Sequence, residues 1–340
     1  MPTWLKRTLL ISVLVAVLAA IAAGLWLNQR YEHFLATPLA VPEAGVDYTL
    51  KPGTSLRAVA ADLVRRGWLT EALQLRWLAR QEKLGTRIRA GEYFVPVGTT
   101  PRQFLDILIS GRERQYAITL LEGWNIRELR AAVAADSILE QTLKDVSNDA
   151  LMRALGKPGL HPEGRFLPDT YHFPRGEKDI DLYRRALVAM DNVLAEEWDA
   201  RAPDLPLKTP DEALTLASIV EKETGAAAER PEIAGVFIRR MRIGMLLQTD
   251  PTVIYGMGER FDGNIRRRDL RTDTPYNTYT RKGLPPTPIA MPGRAAIHAA
   301  LHPADGKALY FVARGDGTHQ FSATLEEHNA AVRKYQLRRQ

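Results

Sequence analysis

No cysteine occurs anywhere in the 340 residues. Disulfides, thiolate–zinc centres and thiol nucleophiles are therefore excluded, while the compartment is left open. The chain also lacks a GxxxxGK[ST] loop and a GxSxG elbow, so phosphate-loop and hydrolase-elbow chemistry have no support. His298 and His302 have the i, i+4 spacing of helical metal ligands, but no HExxH glutamate accompanies them and Pro303 follows at once. A helix end accounts for that pair, and neither a metal nor another cofactor is expected. Basic residues come in short, scattered runs such as Arg65-Arg66 and Arg266-Arg267-Arg268. No aromatic-interleaved strand or recognition helix goes with them, which argues against a nucleic-acid partner. Internal repeats and low-complexity segments are absent too.

What is present is an ordinary globular composition, 45% hydrophobic and 25% charged, with a net charge of +6. A basic balance is compatible with anionic lipid or an anionic polymer and selects neither. The N-terminus is more informative. Leu9–Leu27 reads LLISVLVAVLAAIAAGLWL, close to the roughly 20 residues that cross a bilayer as a helix. Lys6 and Arg7 precede it, Trp4 and Trp26 stand near its ends, and Arg30 follows. Positive flanks stay in the cytoplasm, which puts the N-terminus inside and everything after about residue 28 outside. A cleaved signal peptide is the rival reading, because VLAAIAAG is rich in small residues; its apolar core would be shorter than this run.

The remainder divides by pattern. Residues 28–45 carry alanine, two prolines and little periodicity, as a tether would. A strand at Tyr48–Leu50, the Pro52-Gly53 turn and a helix capped by Thr54 or Ser55 follow, then a helix over about Glu71–Gln81. PRQFLDILISG adds a helix with Pro101 in its first turn and Gly111 at its stop. The stretch from KPGTSLRAVA onward resembles the LysM-like module that binds N-acetylglucosamine-containing glycans; a spacer domain without sugar affinity is the plainer reading. Beyond residue 114 short strands and helices alternate: a strand at Tyr116–Leu121, helices at Ile126–Ala134 and Leu182–Trp198, and a hairpin from Leu309–Ala313 to His319–Ser322. Thr324 and Glu327 open a last helix with a capping box. The fold class expected is α+β, built as a cytoplasmic tail (1–8), a transmembrane helix (9–27), the tether (28–45), a small LysM-like α/β domain (46–113) and a larger mixed α/β catalytic domain (114–340).

Thr209-Pro210-Asp211-Glu212 reads as a helix start with a capping box. The helix it opens ends in LASIVEKETG. At 100° per residue, Ala213, Leu216, Ala217 and Val220 share one face and Lys222 lies opposite. Glu221 and Glu223 fall on the two shoulders of the apolar stripe, each half in and half out. Glu223 lies in the last turn, with Gly225 as the natural stop. There the helix carbonyls and the burial against Leu216 and Ile219 both raise a carboxyl pKa. A glutamate kept protonated near neutrality suits general-acid chemistry at a glycosidic oxygen, and the hydroxyl of Thr224 is placed to orient it. Two loops add sugar-binding chemistry. One packs Gln248, Thr249, Asp250, Thr252 and Tyr255 between glycines; the other packs Tyr276, Asn277, Thr278 and Tyr279 before a Gly/Pro-rich run. A third polar-aromatic loop, Glu163 to Tyr171, makes Asp169 a lesser candidate.

LASIVEKET, FIRRMRIGMLLQTDPTVIYGMGER, TPYNTYTRKGLPPTPIAMPG and LYFVARGDGTHQFSATLEEHN together resemble the endolytic murein transglycosylase (YceG-like) family. The resemblance implies a single-pass protein of the bacterial inner membrane with its catalytic domain in the periplasm. It implies cleavage of the MurNAc–GlcNAc bond within nascent peptidoglycan strands, a 1,6-anhydro-MurNAc end, termination of glycan elongation, and action near peptidoglycan synthases. It places the catalytic acid/base on Glu223, with Glu221, Thr224 and Asp250 as supporting or alternative groups. Gln248, Thr249, Tyr255, Tyr276, Asn277 and Tyr279 become the substrate-binding candidates. A muramidase-type hydrolase using Glu223 with Asp250 is a second reading, and a non-catalytic wall-binding scaffold a third.

Overall fold

The computed structural model describes residues 3–337. The start of the expected 1–8 tail and the end of the 114–340 segment lie outside the described residues. The chain falls into two compact units divided after Tyr116.

The first unit begins with α1 (Thr3–Ala36), a single helix of 34 residues. From Leu10 onward it is long and apolar enough to cross a membrane, and the large apolar side chains from Leu10 to Leu27 are exposed. Residues 28–36, expected as a tether, continue this helix. No proline or glycine interrupts them before Pro38, and Phe34 is buried in the core of the first unit, which holds the extra turns in place. Next come β1 (Val46–Leu50), α2 (Leu56–Arg65), α3 (Ala72–Gln81), β2 (Gly91–Val95) and α4 (Pro101–Ser110). Strands β1 and β2 pair antiparallel, from Val46 opposite Val95 to Leu50 opposite Gly91. Ser55 caps α2 by accepting from the Ala58 amide. Thr100 and Gln103 form a full capping box on α4, and left-handed Gly111 closes it. Tyr48, Leu63, Leu75, Tyr93 and Phe104 fill the core between these elements.

The second unit is mostly helical. It contains β3 (Gln115–Thr119), α5 (Ile126–Ala135), α6 (Asn148–Ala154), β4 (Thr170–Pro174), α7 (Asp179–Asp199), α8 (Pro210–Glu223) and α9 (Arg230–Arg242). It then runs through α10 (Asp250–Met257), α11 (Arg267–Arg271), α12 (Arg294–Leu301), β5 (Tyr310–Ala313), β6 (His319–Ser322) and α13 (Leu325–Tyr335). Among the described residues its strands make only two-stranded ribbons, β3 with β4 and β5 with β6. The alternation of strands and helices expected from sequence is therefore a helical body with two short ribbons.

Helix α8 is the axis of that body. Every residue from Ala213 to Val220 is buried, where an amphipathic stripe was expected. A helix apolar around its whole circumference is an interior helix, and α7, α9 and α12 surround this one. Its two buried hydroxyls are satisfied. Thr215 donates to the Asp211 carbonyl, and Ser218 donates to the Thr215 carbonyl at 2.7 Å while accepting from the Ile289 amide at 3.0 Å. That last bond fastens the proline-rich loop 284–293 along α8. At the N-terminus Thr209 accepts from the Glu212 amide as expected, but the Glu212 carboxylate reaches back to the Lys208 amide and not to that of Thr209.

Candidate active site

Helix α8 delivers Glu223 as its final residue. Thr224 follows in extended conformation (φ −144°, ψ 135°) and ends the helix. Gly225, expected as the stop, does not take up a left-handed conformation. The Thr224 hydroxyl accepts from the Ala226 amide at 2.9 Å. The hydroxyl that meets the acid belongs to Thr249, which donates to Glu223 Oε1.

Thr249 is held by a small network of buried threonines. Its amide donates to Thr278 Oγ1 at 3.1 Å, its carbonyl accepts from the Thr252 hydroxyl at 2.8 Å, and the Thr252 and Thr278 hydroxyls are 2.9 Å apart. Thr249, Thr252 and Thr278 are all buried. The preceding residue, Gln248, sits at φ +49°, a left-handed conformation rare for a residue with a Cβ. Its amide donates to the Thr278 carbonyl at 3.1 Å, which helps hold that turn. Both polar loops read from the sequence therefore converge on Glu223 through Thr249 and Thr278.

Burial pushes the Glu223 carboxyl up to about 7, and the nearby charge of Asp250 acts in the same direction; Thr249, His319 and Arg240 oppose it. Asp250 is exposed at the first turn of α10 and accepts from the Tyr279 hydroxyl at 2.6 Å. The Thr249 hydrogen bond favours the ionised form of Glu223. Thr249→Val is expected to raise the Glu223 pKa in a carboxyl-carbon NMR titration, and Thr249→Ser to leave it at the wild-type value.

Glu221 has a different environment. It pairs with Arg230 at 3.2 Å and accepts from the Gly293 amide at 3.0 Å. Burial raises its pKa, and these two partners oppose the rise. With both oxygens engaged, it ties α8 to α9 and to the proline-rich loop.

Several groove candidates have partners within the protein. Asn277 is 1% exposed. Its Nδ2 donates toward the carbonyls of Asp269, Leu270 and Thr272, and its Oδ1 accepts from the Tyr279 amide. It braces the loop from within and has no group left for a ligand. Asn277→Ala is expected to cost about 1–3 kcal/mol, read as a lower urea midpoint, because the part-buried carbonyls of Asp269, Leu270 and Thr272 lose their donor. Tyr276 is engaged with Thr287 at 2.9 Å and packs edge-on against Tyr255, ring centroids 4.9 Å apart. Tyr255 donates to Glu163 Oε2 at 2.9 Å. Gln248, Asp250 and Tyr279 retain exposed surface beside the acid. Asp169 is exposed, accepts from the Thr170 amide, and shares no partner with Glu223 among the described residues.

The sequence reading passed over three groups. Glu163 is fully buried and accepts from the Ile126 amide as well as from Tyr255; burial pushes it up to about 7. Its loop packs so closely on the proline-rich loop that a Cβ at Gly164 (φ +76°) would lie 2.6 Å from Pro288 Cβ. Arg240 is buried on α9, donating to the Leu309 carbonyl at 2.7 Å and the Leu247 carbonyl at 2.5 Å. His319, on β6, is clamped through Nδ1 to Glu229 at 2.7 Å. A sign of Arg240 was available: it stands seven residues after Ile233 and three after Phe237, on the apolar face of its helix.

Among the described residues, ligand atoms of Glu197, His298 and His302 lie within 4.8 Å of one another, close enough to hold a metal ion. Arg294 already pairs with Glu197 at 2.9 Å, and the two His302 ring nitrogens lie at 3.1 and 2.8 Å from the His298 and Ala200 carbonyls.

Comparison with known proteins follows the same site. The YceG-like family model matches residues 48–334. An endolytic murein transglycosylase of Bacillus subtilis (strain 168) is 30% identical over 307 residues, covering 85% of this chain and 84% of its own. A protein of the same name from Streptococcus pneumoniae serotype 2 is 26% identical, covering 97% of this chain and 65% of its own greater length. The crystal structure of a yceG-like protein from Listeria monocytogenes aligns with a TM-score of 0.55 at 26% identity, covering 85% of this chain and 99% of that one. A family model spanning most of the chain, joined by a relative aligned over most of both lengths, shows that the chain belongs to the YceG-like family.

Proposed function

We propose that the protein is a membrane-anchored endolytic transglycosylase of peptidoglycan. In this reading it cuts the MurNAc–GlcNAc bond within nascent glycan strands, leaves a 1,6-anhydro-MurNAc end and so terminates elongation near peptidoglycan synthases. The N-terminus lies in the cytoplasm, α1 crosses the inner membrane, and the chain beyond its apolar run lies in the periplasm. The observation that carries the reading is the Glu223 carboxyl, pushed up to about 7 by burial at the end of α8 where two polar loops meet. The names of the relatives support the same chemistry.

Glu223 protonates the glycosidic oxygen as the C1–O bond breaks. The C6 hydroxyl of the same MurNAc then attacks C1, and Glu223 takes back the hydroxyl proton. No water enters, so one carboxyl serves as both acid and base. A hydrolase would need a second carboxylate to activate water or to act as nucleophile. Asp250 is the group placed for that, and Tyr279 engages one of its oxygens. Gln248, Asp250 and Tyr279 line the route of the strand. The first unit is read as LysM-like and glycan-binding; the order β1–α2–α3–β2, with the KPG turn between β1 and α2, supports this.

Mass spectrometry of digested strands tests the proposal. Anhydro ends support it, reducing ends favour the muramidase reading, and intact strands leave only a scaffold. Asp250→Asn is expected to keep anhydro products, with less than about a tenfold loss at pH 6, well below the 10²–10⁴ typical of a lost acid–base group. Because the Asp250 charge raises the Glu223 pKa, its removal moves the alkaline limb of the pH–rate profile downward.

A further inference from the structure

Helix α3 of the first unit presents two large apolar side chains one turn apart on its outer face: Leu73 is 68% exposed and Trp77 46%. Their position relative to α1 gives them meaning. The Trp77 ring meets Tyr31 of α1 edge-on, with centroids 4.3 Å apart. Tyr31 stands four residues beyond Leu27, where the apolar run ends, so its ring level is about 6 Å along the helix axis past that end. Leu73 stands one turn before Trp77 on the same helix. With Trp77, it faces Gly24, Leu27 and Tyr31 across an apolar cleft of about 600 Å³ between α1 and α3.

Gly24 and Leu27 belong to the stretch of α1 that would sit in hydrocarbon. The headgroup layer beyond it is roughly 5–7 Å deep on each side of a bilayer. Trp77 is thus level with the headgroups, and the cleft that it shares with Leu73 reaches the edge of the hydrocarbon at Gly24 and Leu27. Other residues mark the same level. The Arg30 guanidinium lies 5.5 Å over the Trp26 ring, and it pairs with Glu71 at the start of α3 at 2.7 Å. Arg76 and Arg80 are exposed on the flank of α3. Leucine and tryptophan beside arginines form the pattern of a helix lying in the membrane interface, with the cations at anionic headgroups.

We propose that α3 docks on the outer surface of the bilayer, with Leu73 and Trp77 in the headgroup–acyl boundary and a lipid acyl chain in the cleft beside α1. The partner is an anionic phospholipid membrane. The inference rests on the reading of α1 as a retained membrane span.

The native chain has no cysteine, so single spin labels can be placed without background. Full-length Leu18→Cys, Leu73→Cys and Trp77→Cys proteins, each labelled with a nitroxide, are reconstituted into vesicles of phosphatidylethanolamine and phosphatidylglycerol. Collision with oxygen is then compared with collision with a water-soluble nickel chelate. The expected result is an oxygen-to-nickel ratio at positions 73 and 77 several-fold above that of free label in water, and a still higher ratio at position 18. Water-like ratios at 73 and 77 with a high ratio at 18 overturn the docking and leave the anchor standing. A water-like ratio at 18 removes the anchor reading and the docking with it. Water-like ratios at 73 and 77 in vesicles, but shielding in native membranes, mean that a protein covers the face, and overturn the lipid proposal.

Discussion

Glu223→Gln is expected to lower strand cleavage by roughly 10³-fold, the scale of a lost general acid, and at the same time to make the protein more stable at pH 8. The two effects have one cause. The carboxyl has an ordinary value of 4.5 and is pushed up to about 7 in the folded chain. Between those values the unfolded chain has released a proton that the folded chain keeps. Rising pH therefore favours unfolding across that window, and the penalty is complete above about 7. Its full size is on the order of 3 kcal/mol. Glutamine carries no such penalty and still accepts from the Thr249 hydroxyl. The difference in urea midpoint between variant and wild type should be near zero at pH 4.5, grow to pH 7 and then level off. Other groups titrate alike in both proteins and cancel. Identical stabilities at every pH would mean that the carboxyl is not held protonated, and the proposed chemistry would lose its proton donor. Wild-type activity should fall above about pH 7 for the same reason.

Arg240→Met is expected to destabilise the second unit by about 2–5 kcal/mol, because the Leu309 and Leu247 carbonyls lose a buried charged donor. For a unit of this size that corresponds to roughly 5–15 °C in Tm. Arg240→Lys should recover only part of the loss. A single ammonium on a flexible stem cannot reproduce a planar fork that reaches the β5–β6 ribbon and the segment before Thr249 together. The electrostatic effect has a fixed sign. Arg240 lowers the Glu223 pKa, so its loss moves the alkaline limb of the pH–rate profile upward, opposite to Asp250→Asn. A lysine variant that melts with the wild type would show that the fork is not needed.

Local signals in the sequence were reliable where one stretch of chain controls its own geometry. The starts of α4, α8 and α13, and the position of Glu223 at the end of α8, are all legible from caps and periodicity. Failures occurred where the partner is distant in sequence. Thr224, the neighbour of Glu223, was assigned the orienting hydroxyl; the fold supplies Thr249, twenty-six residues away, because α10 begins beside the end of α8. Asn277 had the chemistry of a sugar ligand, but a loop without regular structure must satisfy its own buried carbonyls, and that requirement takes the side chain. Burial of the Arg240 guanidinium depends on the Leu309 and Leu247 carbonyls, which the sequence does not bring together. The tether looked irregular because its apolar residues pack against the first unit and not along one face of a free helix.

The unbroken passage of α1 into the core at Phe34 has a geometric corollary. A flexible link would let chain length change without consequence, but a rigid screw does not. One residue inserted after Leu27 turns everything attached beyond it by about 100° while moving it outward only about 1.5 Å. Length in this stalk therefore sets which way the first unit faces more strongly than how far it stands out.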